Sequence, residues 1–400
     1  MTSYEGRTNL RVMKTYARGR KCYDADSHIM ETADWLASHA DPSIRDDLPS
    51  FVPQGGKASE AGRTLLGTID EAEIRRADPE ATRQLEENII GGPKGWLAHG
   101  ATDPVERRRT LDLLGFEKQL VFATFSVGQF AFSRDPRIAY GGALAHNRGM
   151  LEFCEGDDRL LPVCFLPLLD PALAIEALDA ILPQKPGAIW MTSDMPGDRA
   201  PSHIDFEEIW ARLAEANIPL VLHIGGGKLL DRRYHNNGRP TPKDWLGGGE
   251  NLRAKDFLVV HHSPERFLTC MVLDGVFERH PDLRCGAIEL GASWVPGMMR
   301  NLDYAARALG RHEALIKELT LTPSDYIRRQ VRFTPFPFED VGWLIKEGGE
   351  NLFLFSSDYP HIEGSRDPIG KFDATLDQHE IGERARSRFY SENFANLYRA

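Results

Sequence analysis

The chain has 400 residues, 42% of them hydrophobic and 27% charged, with a formal net charge of −11 at pH 7. That length suits one α/β barrel with insertions, and the composition is that of a globular protein with a large buried core. The acidity is spread along the chain, which argues against nucleic acid and anionic membrane surfaces as partners.

The N-terminal stretch MTSYEGRTNLRVMKTYARGRK is basic but has no apolar h-region, so no secretory signal is expected and the default compartment is cytoplasmic. The first short apolar run is Cys22–His28. A charged helical stretch, Ile69–Glu87, and a Gly/Pro-rich segment, Gly91–Gly95, follow it. Asp103–Leu114 reads as a helix behind an Asp/Pro start. Gln119–Phe125 and Leu161–Leu168 are the next strands. Pro171–Leu182 is a helix whose N-cap is Asp170 and whose first turn begins with proline. Ala188–Thr192 is a strand, and Asp205–Asn217 a helix with Phe206, Ile209, Trp210 and Leu213 on one side. Pro219–Ile224 is a strand. A glycine-rich loop then carries Gly225-Gly226-Gly227, Gly247-Gly248-Gly249 and His261-His262. A helix runs from Ser263 to about Arg279. Cys285–Leu290, Val331–Pro335 and Asn351–Ser357 complete the strands, with helices at Phe338–Glu347, Pro368–Leu376 and Ile381–Tyr398.

Most of these strands are continuously apolar, as parallel strands buried on both faces are. Eight of them, separated by helices, predict a (β/α)₈ TIM-like barrel with a long insertion after the first strand and a helical C-terminus. Residues 1–400 read as one domain, with the insertion at about 50–100 and a long loop at about 225–262. No glycine-rich dinucleotide or phosphate-loop fingerprint follows the first strand. The five cysteines, Cys22, Cys154, Cys164, Cys270 and Cys285, form no CxxC pair, so neither structural zinc nor a disulfide framework is expected.

Three strand ends carry chemistry. In Asp24-Ala25-Asp26-Ser27-His28, alternation puts Asp24, Asp26 and His28 on one face, and a carboxylate and an imidazole two residues apart can share a divalent ion. Leu220-Val221-Leu222-His223 ends in a histidine just before glycines. Leu352-Phe353-Leu354-Phe355-Ser356-Ser357-Asp358 ends in an acid, and a buried carboxylate calls for a cationic partner. The C-terminal ends of the first, fifth and eighth strands of a barrel converge. Asp26, His28, His223 and Asp358 therefore form a candidate ligand set for one divalent ion; zinc is the first expectation, with manganese or iron as alternatives.

These motifs, with R-H-P-D-L-R at Arg279–Arg284 and S-D-Y-P-H at Ser357–His361, resemble the amidohydrolase superfamily. Within it they are similar to the branch containing the aminocarboxymuconate-semialdehyde and resorcylate decarboxylases, and the resemblance covers about Tyr23 to Leu397. It implies one divalent metal on Asp26, His28, His223 and Asp358. It also implies a histidine at the end of the sixth strand, where this chain has Glu289 in Ala287-Ile288-Glu289-Leu290-Gly291. His261 or His262 is the candidate replacement imidazole. Related barrels often form dimers, so a homodimer is expected, with the first long loop as a contact.

The expected function is hydrolysis of an amide, lactam or ester-like bond in a small molecule, through a metal-activated water with Asp358 as base and Glu289 as a further catalytic candidate. The alternative is non-oxidative decarboxylation of an aromatic or enoic acid on the same metal. A second alternative is a barrel that binds without catalysing. His361, Trp190 and Arg148 are the candidate substrate contacts.

Overall fold

The computed structural model describes residues 15–52, 60–240 and 253–398. Seven parallel strands follow one another in sequence order: β1 Tyr23–Ile29, β2 Lys118–Ala123, β3 Leu160–Phe165, β4 Ala188–Trp190, β5 Leu220–His223, β6 Cys285–Ile288 and β7 Val331–Phe333. Each lies within a segment read as a strand from its buried apolar run, to within a residue or two at either end. The Gly247-Gly248-Gly249 motif lies outside the described residues.

The eighth segment closes the barrel without forming a regular ladder. Phe333 donates its N–H to the Leu352 carbonyl and accepts from the Leu354 N–H, each at 2.9 Å. On the other side, Ala25 donates to the Phe355 carbonyl at 3.1 Å and His28 to the Tyr359 carbonyl at 2.7 Å. Between these contacts the Asp358 N–H donates to the Asp26 carbonyl at 2.9 Å, but the pairing is irregular. The Ser357 N–H turns to the Asp24 carboxylate at 2.7 Å, and Asp358 adopts φ +51. The run predicted as strand Asn351–Ser357 is thus two parallel bridges flanking a kink.

Helices pack around the sheet. Pro104–Leu114 and Pro171–Ile181 begin as predicted, with Asp103 and Asp170 accepting backbone N–H groups of the first turn. The predicted C-terminal helix is divided into Glu383–Ser387, a π-turn at Arg388–Glu392 and Asn393–Tyr398. Two long helices are additions to the sequence reading, Pro136–Cys154 and Val295–Leu309. The insertion after β1 holds the helices Glu60–Arg76 and Pro79–Glu87 and returns to the barrel through Gly95, whose N–H donates to the Pro360 carbonyl at 3.0 Å. Trp96 stacks on Phe125, and Phe125 on Phe51, at centroid distances of 5.2 and 4.9 Å. This part of the insertion is packed against the C-terminal mouth. No helix among the described residues is long and apolar enough to cross a membrane.

Candidate metal centre

Asp26 and His28 leave the end of β1, His223 ends β5 and Glu289 follows β6. These four offer ligand atoms that all lie within 4.8 Å of one another, and all four residues are buried. Asp26 Oδ1 sits 3.2 Å from His28 Nε2 and 3.3 Å from His223 Nε2. Glu289 Oε2 is 3.4 Å from His223 Nε2 and 3.9 Å from His28 Nε2. A second buried group shares His28 and Glu289 and adds Asp358 and His361. The four residues grouped from sequence are therefore not one set. Three of them, Asp26, His28 and His223, come together with Glu289, and Asp358 adjoins through His28 at 3.6 Å.

The scaffold explains this placement. Pairing of β1 with β2 shifts register between Asp24 and Ser27, as at a bulge, which re-aims side chains. Asp24 does not join the ligand atoms. Its carboxylate takes the Ser357 hydroxyl at 2.6 Å and Gln119 Nε2 at 2.8 Å, so it ties β1 to the segment that carries Asp358. Glu289 has φ +52, and its N–H donates to Thr334 Oγ1 at 2.7 Å. A side chain in that left-handed region is strained and must be held by its surroundings. Gly364 shapes the turn after Asp358. A Cβ there would collide with the Ser357 carbonyl and lie 2.9 Å from Asp358 Cβ. Gly364→Ala should cost about 1–3 kcal/mol, read as a lowered denaturation midpoint; an unchanged midpoint would show that the turn can yield.

The donor chemistry fits a cation. His223 Nδ1 faces the Ile224 carbonyl at 2.8 Å, so that nitrogen carries the proton and Nε2 presents its lone pair. In the neutral ring this lone pair opposes that of Asp26 Oδ1, and a positive ion between them resolves the conflict. Among the described residues, Asp26 Oδ2, both His28 nitrogens, both Asp358 oxygens and His361 Nδ1 are buried without a hydrogen-bond partner, a costly state for polar atoms. Burial, together with His361, pushes the His28 imidazole down to about 3, so it stays a neutral ligand.

Asp358 and His361 form an acid–base pair beside this group. His361 Nδ1 lies 2.9 Å from Asp358 Oδ1, and its ring stacks on His28 with centroids 3.9 Å apart. Its Nε2 meets Thr124 Oγ1 at 2.9 Å, and that hydroxyl donates to the Ile29 carbonyl at 2.6 Å. Thr124 thus accepts the Nε2 proton and aims Nδ1 at Asp358. Burial raises Asp358 to about 6, against the lowering influence of His361. Burial alone would lower His361, but Asp358 beside it raises it to about 8. A raised imidazole stabilises the fold fully below its ordinary value of about 6.5, and that contribution is lost as pH rises through the folded value. Metal-free protein should therefore lose melting temperature between pH of about 6.5 and 8.5. His361→Gln should flatten the fall; equal slopes in both proteins would remove His361 as its source.

The other candidates fall elsewhere. Trp190 is buried with its ring 5.0 Å from that of His223 and 5.8 Å from that of Phe122; it packs the histidine. Arg148 is not brought to the centre. It lies on the outer face of Pro136–Cys154, its side chain 46% exposed, with Nη1 2.7 Å from Asp41, beside a groove of about 1620 Å³. His261 and His262 also lie outside both ligand groups. They open the helix His262–Leu273, His262 is exposed, and the His261 ring stacks on Trp294 at 5.4 Å. Among the described residues, neither histidine joins the ligand groups, whereas Glu289 belongs to both. Sequence reasoning missed Thr124, Thr334, Ser357 and Gln119, because hydroxyl and amide residues in strand ends carry no distinctive spacing.

The fold has close counterparts among solved structures. An amidohydrolase from Mycobacterium avium subsp. paratuberculosis K-10 superposes with a TM-score of 0.70 at 22% identity, covering 95% of this chain and 99% of that one. A 5-carboxyvanillate decarboxylase from Sphingomonas paucimobilis gives 0.60 at 16% identity, covering 95% and 99%. A dihydroxybenzoic acid decarboxylase from Polaromonas sp. JS666, solved with bound manganese and 2-nitroresorcinol, gives 0.59 at 16% identity, covering 95% and 97%. Among curated proteins, none matches at the sequence level. The sequence model of the family described as Amidohydrolase matches residues 97–400, from the end of the insertion through β2–β7 and Asp358 to the C-terminus. With that match over three-quarters of its length, the chain belongs to the amidohydrolase family.

Proposed function

We propose that the protein is a divalent-metal-dependent carboxy-lyase that removes the carboxylate of an aromatic acid without an oxidant. The observation that carries this reading is the Asp358–His361 pair, a couple able to hold a proton that meets the Asp26, His28, His223 and Glu289 group at His28 and Glu289. Two of the structures that share the fold are decarboxylases of hydroxylated aromatic acids, which lifts this reading above hydrolysis.

Asp26, His28, His223 and Glu289 would hold the ion. Two carboxylates and two imidazoles suit manganese at least as well as zinc, and we propose manganese. When bound, the ion supplies positive charge that polarises the oxygens of the acid. Asp358, in its protonated form, delivers its proton to the ring carbon that bears the carboxylate. The bond to the carboxylate then breaks, its electron pair restores the ring, and carbon dioxide leaves. His361 Nδ1 returns a proton to Asp358, while Thr124 keeps the imidazole in line. Phe122 and Trp190 pack against His223 and keep water from that side of the centre.

Hydrolysis is the second reading. Glu289 favours it, because a second carboxylate beside His223 can take a proton from water. Manganese-loaded protein incubated with 2,6-dihydroxybenzoate or 5-carboxyvanillate in deuterated water decides between them. The expected products are carbon dioxide and a ring carrying deuterium at the vacated carbon. No carbon dioxide from a panel of hydroxybenzoates, with turnover of amides or lactones, would sink the carboxy-lyase reading.

A further inference from the structure

We infer that a pocket beside the centre, walled by Phe257, Phe336 and Phe338 and ending at Glu363, selects substrates whose aromatic ring carries a hydrogen-bond donor remote from the reacting carboxylate. This rests on the aromatic-acid reading above and adds the feature the substrate must have.

The pocket encloses about 300 Å³, the lower end of the range for small-molecule sites. Three loops build it. Phe257 comes from the loop after β5, Phe336 and Phe338 from the loop after β7, and Glu363 from the turn after Asp358. Phe336 and Phe338 stack with centroids 5.2 Å apart and planes within 4°. Phe257 meets them edge-on at 5.7 and 5.2 Å. Arg253 and Ala254 complete the lining. Phe336 is buried, whereas Phe338 is 61% exposed.

The wall is fixed in place. Glu339 Oε2 accepts the Phe336 N–H at 2.7 Å and the Ala292 N–H at 3.1 Å, which clamps the loop after β7 to the loop after β6. The wall also adjoins the centre. A Cβ on Gly291, two residues beyond Glu289, would lie 3.5 Å from Phe336 Cδ2. Glu363 acts on both members of the acid–base pair, its charge raising Asp358 and His361.

Glu363 gives the pocket its chemistry. Both carboxylate oxygens are buried, and among the described residues neither has a hydrogen-bond partner. An enclosed carboxylate without a partner is unfavourable. Here it faces a cavity with aromatic walls, so its partner is a donor group on a ring lying against the phenylalanines. An amino or a hydroxyl group supplies that donor equally well.

Calorimetric titration of the manganese-loaded protein with 4-aminobenzoate, 4-hydroxybenzoate and benzoate tests this. One or both donor-bearing acids should bind about tenfold tighter than benzoate, and which one does so identifies the donor. Glu363→Leu should erase the preference while manganese stoichiometry stays unchanged. Phe338→Ala should weaken all three acids in parallel. Equal affinities for the three acids in the unaltered protein, or a preference that survives Glu363→Leu, overturns the proposal. If the leucine variant does not fold, the comparison in the unaltered protein decides alone. Binding is read without turnover. A protein that shows the preference but releases no carbon dioxide therefore loses only the carboxy-lyase reading.

Discussion

Replacing Asp358 by asparagine should leave manganese bound and lower turnover by about a thousandfold. The amide has the shape of the carboxyl group but holds no proton that it can give to carbon. General acid–base groups contribute about 10²–10⁴ in rate, and Asp358 is placed as the final donor of its pair. The ion should stay, because Asp26, His28, His223 and Glu289 form a compact group without it. Metal content by mass spectrometry and single-turnover release of carbon dioxide measure the two effects separately. The asparagine variant should also lower the His361 titration, because the anion that raises it is gone. Turnover within tenfold of the parent would reduce Asp358 to a structural role.

His223→Ala should do the opposite, removing the metal while keeping the fold. His223 Nε2 faces both Asp26 and Glu289. Its loss leaves two carboxylates together with one neighbouring imidazole in place of two. Removing even an outer-shell partner of a metal ligand costs about 10–100-fold in affinity, so loss of a direct ligand should exceed about a hundredfold. Each strand of the sheet is paired by its backbone, and the ring contributes packing against Phe122, Trp190 and His28. The far-ultraviolet spectrum should therefore stay native while manganese, titrated by electron paramagnetic resonance, no longer binds tightly. A globally unfolded variant, or one that binds as before, counts against His223 as a ligand.

The sequence disclosed the barrel through one kind of signal. A parallel strand of a barrel, covered by packed side chains within and helices outside, is apolar throughout, as in Leu220-Val221-Leu222, and such runs separated by amphipathic helices have few architectures open to them. Helix Pro136–Cys154 escaped notice although Asp135-Pro136 opens it with a proper cap. Gly141, Gly142 and Gly149 weaken its helical pattern; a Cβ at each would strike Ile44, Phe130 or Trp35. Those glycines answer to close packing, which no periodicity reveals. At the site, Asp26, His28 and His223 were legible because each ends a buried strand. Glu289 stood out through the resemblance, as the acid where a histidine is implied, but the left-handed turn and the Thr334 contact that hold it leave no mark in the sequence. Arg148 and the His261-His262 pair misled because composition does not tell which side of a helix or loop meets the barrel mouth.

The closing seam of the barrel has a consequence for the order in which the protein matures. Ser357 reaches Asp24 across 333 positions of sequence, and the Asp358 N–H bonds the Asp26 carbonyl at 2.9 Å. The strand that carries Asp26 and His28 and the segment that locks it are thus far apart along the chain. Contacts of such separation form late, because the loop they close must first be ordered. We expect metallation to follow closure of the barrel, the ion being recruited by a finished site rather than acting as the nucleus around which it forms.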